Sequence, residues 1–157
     1  MKITTARLIP GVENMSIIGR HEKYSKREII LLFEGIGGGR AGLDNDFSKI
    51  LIKALSKLPK GVAEWAIEHA VFVSALETHY AYTLNLNELV EKGKMGLIVL
   101  CEKLKYQNEE EQLFDIAHEI AHAKLRHSTA YPDRRAASRS EEKDEREADE
   151  LAKSWLI

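Results

Sequence analysis

A five-residue motif, His-Glu-Ile-Ala-His at positions 118–122, constrains the fold more than any other part of this sequence. Residues four apart on an α-helix lie one turn apart on nearly the same face, so His118 and His122 can direct a ring nitrogen at one metal ion. Glu119 lies about 100° around the helix from His118, close enough to take a proton from a metal-bound water. The motif therefore predicts two metal ligands and a general base on one helix.

The flanking residues predict that helix over 109–127. Apolar side chains recur at three- and four-residue intervals and form one broad face, with both histidines at its margin. Three glutamates at 109–111 place negative charge in the first turn, where the helix dipole favours it. This context favours a functional motif over a buried helix with two incidental histidines. The apolar residues are Leu113, Phe114, Ile116, Ala117, Ile120 and Ala121.

Zinc is the metal that these ligand types indicate. It accepts imidazole nitrogen readily, and a catalytic zinc site uses three protein ligands and leaves the fourth position to water. The ion lowers the pKa of that water towards about 7, and a neighbouring carboxylate completes its activation. The sequence therefore predicts one Zn²⁺ per chain. The ligand types favour zinc but do not by themselves determine which divalent metal is bound.

The third ligand is expected on a second helix over 141–155, where apolar residues form one stripe. In the metzincin pattern the third ligand is a histidine, but the corresponding position here is Ser128. The only cysteine, Cys101, lies in an apolar strand, which argues against a thiolate ligand. A carboxylate from the second helix is what remains. Its apolar stripe consists of Ala148, Leu151, Ala152 and Trp155.

Two of the acidic residues on this second helix adjoin its alanine stripe. Glu145 and Asp149 are 40° apart on a helical wheel of 100° per residue. Small alanines allow this helix to approach the first one closely. We therefore expect Glu145 to be the third ligand and Asp149 to be the outer acceptor that orients His118 through its other ring nitrogen. Glu141 and Glu147 are the alternatives for the ligand.

The rest of the chain predicts an α+β fold in a single domain, residues 1–157. A length of 157 residues with 44% hydrophobic content is typical of one domain that buries a core. We expect residues 1–60 to form a helical N-terminal extension and residues 61–157 to form the catalytic core. Helical patterns near 26–35, 45–58 and 62–68 precede three short strands, at 70–76, 80–86 and 96–101.

The two motifs together resemble the gluzincin signature, in which HExxH is followed by ExxxD on a later helix. Here the second motif is Glu-Arg-Glu-Ala-Asp at 145–149. The small format resembles minigluzincins and ImmA/IrrE-like metallopeptidases, and the resemblance covers about residues 80–157. It implies a zincin-like core, with a small twisted sheet above the motif helix and the ligand-bearing helix behind it. It also implies an edge strand that pairs with the substrate backbone, which falls at Tyr82, Thr83, Leu84 and Asn85.

These features predict a zinc-dependent metalloendopeptidase that hydrolyses peptide or protein substrates with Glu119 as general base. The resemblance also implies a Tyr or His donor for the reaction's oxyanion. No residue here matches such a donor by motif, and Tyr131 and His127 are the candidates. The alternative is a metal-bound regulatory or protein-interaction module with vestigial or latent peptidase activity, which the small size and the unmatched donor favour.

Composition narrows the environment of the protein. A net charge of −2 argues against a general nucleic-acid binder, whose surface is strongly basic. No apolar run approaches the roughly 20 residues that span a bilayer, and residues 1–18 do not resemble a signal peptide. The single cysteine excludes an intrachain disulfide and suits a reducing compartment. We therefore expect a cytoplasmic protein without a membrane partner.

Overall fold

The computed structural model describes residues 22–36, 43–76, 79–85, 96–127 and 139–157. These ranges confirm the predicted α+β class, and the predicted helices and strands are present with small differences at their ends. None of the helices in the described ranges has the length and apolar character that crossing a membrane requires. The elements are α1 Lys26–Ile36, α2 Asn45–Leu55, α3 Lys60–His69, β1 Ala70–Ala75, β2 Ala81–Asn85, β3 Gly96–Cys101, α4 Glu109–Leu125 and α5 Arg139–Trp155, with a 3₁₀ helix at Glu102–Tyr106.

Side-chain caps fix where three of the helices begin. At the start of α1 the Ser25 N–H donates to Glu28 Oε2 at 2.8 Å, and the Glu28 N–H donates to Ser25 Oγ at 3.3 Å, which together form a capping box. Asp44 accepts two backbone N–H bonds at the start of α2. Asn108 and Glu111 form a second capping box at α4, a cap that the sequence analysis did not identify. These local bonds anchor the helix that carries the HExxH motif.

The three strands form one mixed sheet in the order β1-β3-β2. The central strand β3 is parallel to β1 and antiparallel to β2, so β2 lies at an edge of the sheet, as predicted. In the register of the sheet, Ile98 of β3 is paired with Phe72 on one side and with Thr83 on the other. All three side chains have no exposed surface. Thr83 is therefore a polar residue in an otherwise apolar buried row.

A single buried cluster joins the helices to the sheet, and it includes residues from all five α-helices. The expected boundary between residues 60 and 61 falls in the first turn of α3, and this helix leads directly into β1. The division into an extension and a core stays a prediction. The largest fully buried apolar side chains are Phe47, Phe72, Ile29, Leu51, Leu55, Leu58, Ile98, Leu100, Leu104, Ile116 and Ile120.

Small residues let α4 lie close to both of its neighbours. Four alanines without exposed surface come from α4 and α5, and they allow close contact between these helices. On the sheet side, a Cβ added to Gly96 would lie 2.8 Å from the Cβ of Ala123. Helix α4 is thus held between α5 and the sheet. The four alanines are Ala117, Ala121, Ala148 and Ala152.

Candidate metal centre

The two histidines of the motif converge on one point, as their four-residue spacing predicts. The Nε2 atoms of His118 and His122 lie 2.9 Å apart. The side chain of His122 has no exposed surface, and that of His118 is 15% exposed. The burial of His122 comes from the position of α4 between the sheet and α5. Both rings therefore present the same nitrogen to the same place at the edge of the core.

Glu145 of α5 completes a group of three possible ligands. Its Oε2 lies 3.3 Å from His118 Nε2, and its Oε1 lies 3.4 Å from His122 Nε2. Among the described residues, the group of potential ligand atoms around the two histidines contains Glu145 and neither of the alternatives, Glu141 and Glu147. The structure thus brings together the three side chains that the sequence predicts as ligands. Their role as ligands stays a prediction.

The geometry and the electrostatics of this group fit a divalent metal. Ligand atoms at about 2.0–2.1 Å from a tetrahedral zinc are about 3.3 Å apart, close to the observed separations of 2.9 to 3.4 Å. Burial, followed by the charges of His118 and His127, lowers the pKa of His122 to about 3. The ring of His122 is therefore neutral at neutral pH, which is the form that binds a metal.

Asp149 occupies the position predicted for the acceptor behind His118. Its Oδ1 lies 2.9 Å from His118 Nδ1, while its Oδ2 accepts a hydrogen bond from Lys153 Nζ at 3.2 Å. The contact with His118 has the distance of a hydrogen bond but not the direction, because the ring N–H does not point at the oxygen. The proximity agrees with the predicted role, which stays a prediction.

Glu119, the predicted general base, lies in the interior with 7% of its surface exposed. The Thr83 hydroxyl lies 2.7 Å from Glu119 Oε2 and 2.9 Å from the Glu119 backbone carbonyl oxygen. Burial raises the pKa of the Glu119 carboxyl to about 8, and the neighbouring Glu145 and Asp115 carboxylates act in the same direction. The hydrogen bond from Thr83 lowers it.

The predicted substrate strand, Tyr82, Thr83, Leu84 and Asn85, lies in β2 at an edge of the sheet. Thr83 is predicted only as part of this strand, and its contact with Glu119 is a finding of the structure. A polar residue in an alternating strand was the available signal, but pairing it with Glu119 requires the register of the sheet on α4. Of the two candidate oxyanion donors, Tyr131 lies outside the described residues. The other, His127, contacts the acidic residues Asp144 and Glu147 of α5.

The small mixed sheet, the HExxH helix and the acidic helix behind it define a zincin-like α+β fold. The sequence model of the peptidase M78 family, described as an IrrE N-terminal-like domain, matches residues 99–157, from β3 to the end of α5. The predicted resemblance to ImmA/IrrE-like metallopeptidases is confirmed over this part of the chain. The match indicates a metallopeptidase-like domain and hence a metal. Comparisons with curated proteins and with solved structures produced no significant match.

Proposed function

We propose that this chain is a zinc-dependent metalloendopeptidase, with Glu119 as its general base. The observation that carries the proposal is the convergence of His118 Nε2 and His122 Nε2, which lie 2.9 Å apart, on the carboxylate of Glu145. One Glu145 oxygen lies 3.3 Å from His118 Nε2, and the other lies 3.4 Å from His122 Nε2. Two imidazoles and one carboxylate are the ligand set of a catalytic zinc site, in which the remaining position is open to water. Glu119 is the residue directly after His118, and its carboxyl group is not among the three potential ligands.

In this proposal the side chains have separate tasks. His118, His122 and Glu145 hold the ion, and Asp149 orients the ring of His118. A bound zinc ion supplies Lewis acidity, which lowers the pKa of a coordinated water and polarises a peptide carbonyl. The complete ligand set requires α5 to pack beside α4, because Glu145 lies 23 positions after His122 in the sequence.

The chain's own proton carrier is Glu119. Its Oε2 accepts the hydrogen bond from Thr83, so we place the transferred proton on Oε1. The carboxylate takes this proton from the attacking water and returns it to the departing amine of the cleaved peptide. The buried setting of Glu119 limits its side chain to few rotamers, which favours repeated transfer between the same two positions.

The substrate in this proposal is an extended peptide. Strand β2 lies beside α4 and next to the central strand, which is the arrangement in which an edge strand presents backbone groups to a peptide. Thr83 points into the core towards Glu119, so residues on the opposite face of β2 would determine which substrate side chains fit. The pairing of Tyr82–Asn85 with substrate remains part of the proposal.

The deciding experiment compares zinc content and peptidase activity in two variants. Glu119→Gln should keep about one zinc per chain, since it leaves the ligands intact, and should lose peptide hydrolysis by about 10²–10⁴-fold or more. Glu145→Ala should lose or weaken zinc binding, measured by plasma emission spectrometry on protein purified without chelator. Cleavage of a peptide library, read by mass spectrometry, measures the activity. Undiminished hydrolysis by Glu119→Gln would overturn the mechanism.

Glu119→Gln, together with His118→Ala, tests the alternative, a metal-bound regulatory or protein-interaction module. That reading predicts that Glu119→Gln changes neither the zinc content nor the function of the protein. It also predicts that His118→Ala strongly lowers the melting temperature, because the role of the ion in such a module would be to stabilise the packing of α5 on α4. Wild-type protein that binds zinc tightly and cleaves no peptide in the library would favour this module over the peptidase.

A further inference from the structure

A second group of metal-ligand side chains lies where the end of α4 meets the first half of α5, distinct from the candidate metal centre. His127 Nε2 lies 3.6 Å from Asp144 Oδ1 and 3.5 Å from Glu147 Oε2. The three potential ligand atoms all lie within 4.8 Å of one another. We propose that His127, Asp144 and Glu147 bind a second divalent cation of the zinc type.

The backbone at the end of α4 brings His127 to this position. Arg126 has a left-handed conformation with φ of 63°, which ends the helix. The next N–H, that of His127, donates to the carbonyl oxygen of His122 at 2.9 Å. On α5, Asp144 and Glu147 are three residues apart and so share one face of the helix. The cluster is therefore built from the residue that follows the C-cap of α4 and from one face of α5.

The distances in the cluster suit a shared ion better than direct hydrogen bonds. The two separations between His127 Nε2 and a carboxylate oxygen, 3.5 and 3.6 Å, exceed the usual N–H···O range of about 2.7–3.2 Å. Two ligands at about 2.1 Å from a tetrahedral cation are about 3.4 Å apart. One imidazole nitrogen with two carboxylate oxygens is a ligand set that first-row divalent metals accept.

Burial restricts the orientation of the His127 ring. The side chain of His127 is only 11% exposed, and its Nδ1 is buried without a hydrogen-bond partner in the part of the chain that the structure describes. The ring thus directs Nε2, the nitrogen that faces the acids, into the cluster.

The charges of α5 are sufficient for two divalent ions. Glu145 and Asp149 face the motif histidines, while Asp144 and Glu147 face His127. These four carboxylates carry four negative charges, which two divalent cations would balance. Without a cation, the like charges of Asp144 and Glu147 on one helix face repel each other. Lys143 compensates this repulsion only in part. Its Nζ lies 3.4 Å from Glu147 Oε1, but this ion pair is exposed to solvent and is therefore weak.

The test is a metal titration that needs no peptidase activity. Metal-free full-length protein is titrated with Zn²⁺ by calorimetry and with Co²⁺ by absorption spectroscopy. We expect two equivalents in the wild type. The double variant Asp144→Asn/Glu147→Gln, which preserves side-chain shape, should lose one equivalent and keep the other. Glu142→Gln, which removes an exposed acid of the same helix, is the control and should keep both.

The two metal sites can be distinguished by complementary variants. Glu145→Ala should weaken the first equivalent and leave the second, so a failure of the proposed peptidase function does not decide this proposal. His127→Ala, checked for folding by circular dichroism, should reproduce the loss seen in the double variant. A metal stoichiometry that is the same in the wild type and in the double variant, whether one equivalent or two, would overturn the second site and leave His127 as an ordinary ion-pair partner.

Discussion

The Thr83 hydroxyl donates a hydrogen bond to Glu119 Oε2 across 2.7 Å, and both side chains lie in the interior. This bond joins the edge strand β2 to the helix that carries both motif histidines. It holds one carboxylate oxygen of Glu119 in place and offsets part of the cost of burying that group. The orientation of the predicted base therefore depends on a residue 36 positions away in the sequence.

The first prediction concerns this bond. Thr83→Val keeps the shape of the side chain and removes the donor, so kcat for peptide cleavage should fall by about 10–100-fold, the effect of a lost hydrogen bond to a charged group. Thr83→Ser is the matched control, because it keeps the hydroxyl donor and should keep most of the activity. Kinetics on a cleaved library peptide measure kcat and KM separately. Unchanged kcat in a Thr83→Val protein with full zinc content would show that the bond has no role in the reaction.

The second prediction concerns the pH dependence of the metal-free protein. The pKa of Glu119 rises from 4.5 to about 8, so its contribution to stability is complete below about pH 4.5 and is lost as the pH rises through 8. The pKa of His122 falls from 6.5 to about 3, so its contribution is complete above about pH 6.5 and is lost as the pH falls through 3. Between about pH 6.5 and 8, therefore, the contribution of Glu119 to stability changes with pH, while that of His122 stays constant.

Metal-free wild type should therefore lose about 2 kcal/mol of unfolding free energy between about pH 6.5 and 8, at roughly 1.4 kcal/mol per pH unit. Glu119→Gln does not titrate at this position and is the matched control. Urea unfolding of both proteins in the presence of chelator measures the difference. Parallel pH profiles for wild type and variant would contradict the raised pKa of Glu119.

The third prediction concerns the residue behind His118. Asp149→Asn removes the negative charge 2.9 Å from His118 Nδ1 and should weaken zinc binding by about 10–100-fold, because outer acceptors orient the ligand ring and raise its basicity. Glu150→Gln, an exposed acid next in sequence, is the control for net charge and should bind zinc as the wild type does. Competition with a chromophoric chelator gives both affinities. If zinc affinity fell equally in the two variants, the cause would be the lost negative charge and not the position of Asp149 behind His118.

The fourth prediction concerns the distance between the sheet and α4. Gly96→Ala would place a Cβ 2.8 Å from the Cβ of Ala123, which is too short for an ordinary contact. Strand β3 and α4 would have to separate, and the variant should be less stable by about 1–3 kcal/mol. Thermal unfolding measures the loss. The double variant Gly96→Ala/Ala123→Gly removes the overlap and should recover part of the stability, and no recovery would place the cause elsewhere.

Local patterns in the sequence were sufficient for the secondary structure and for the two motifs. The positions of His118 and His122 follow from the helical repeat alone, since a four-residue spacing fixes their relative direction on any helix. The same repeat predicted that Glu145 and Asp149 share a face. The capping box of Asn108 and Glu111 is equally local, although it was not predicted. These features depend on interactions within a few residues, which the sequence encodes directly.

Contacts between distant segments required the tertiary structure. Helical geometry left Glu141 and Glu147 as alternatives, and only the packing of α5 on α4 decided that Glu145 lies beside the motif histidines. The contact of Thr83 with Glu119 depends on the register of β2, and the contact of His127 with α5 depends on the left-handed residue before it. The sequence determined which faces the helices present, because that periodicity is local. The tertiary structure decided which side chains meet, because helix rotation, strand register and chain reversal are set by packing across the whole core.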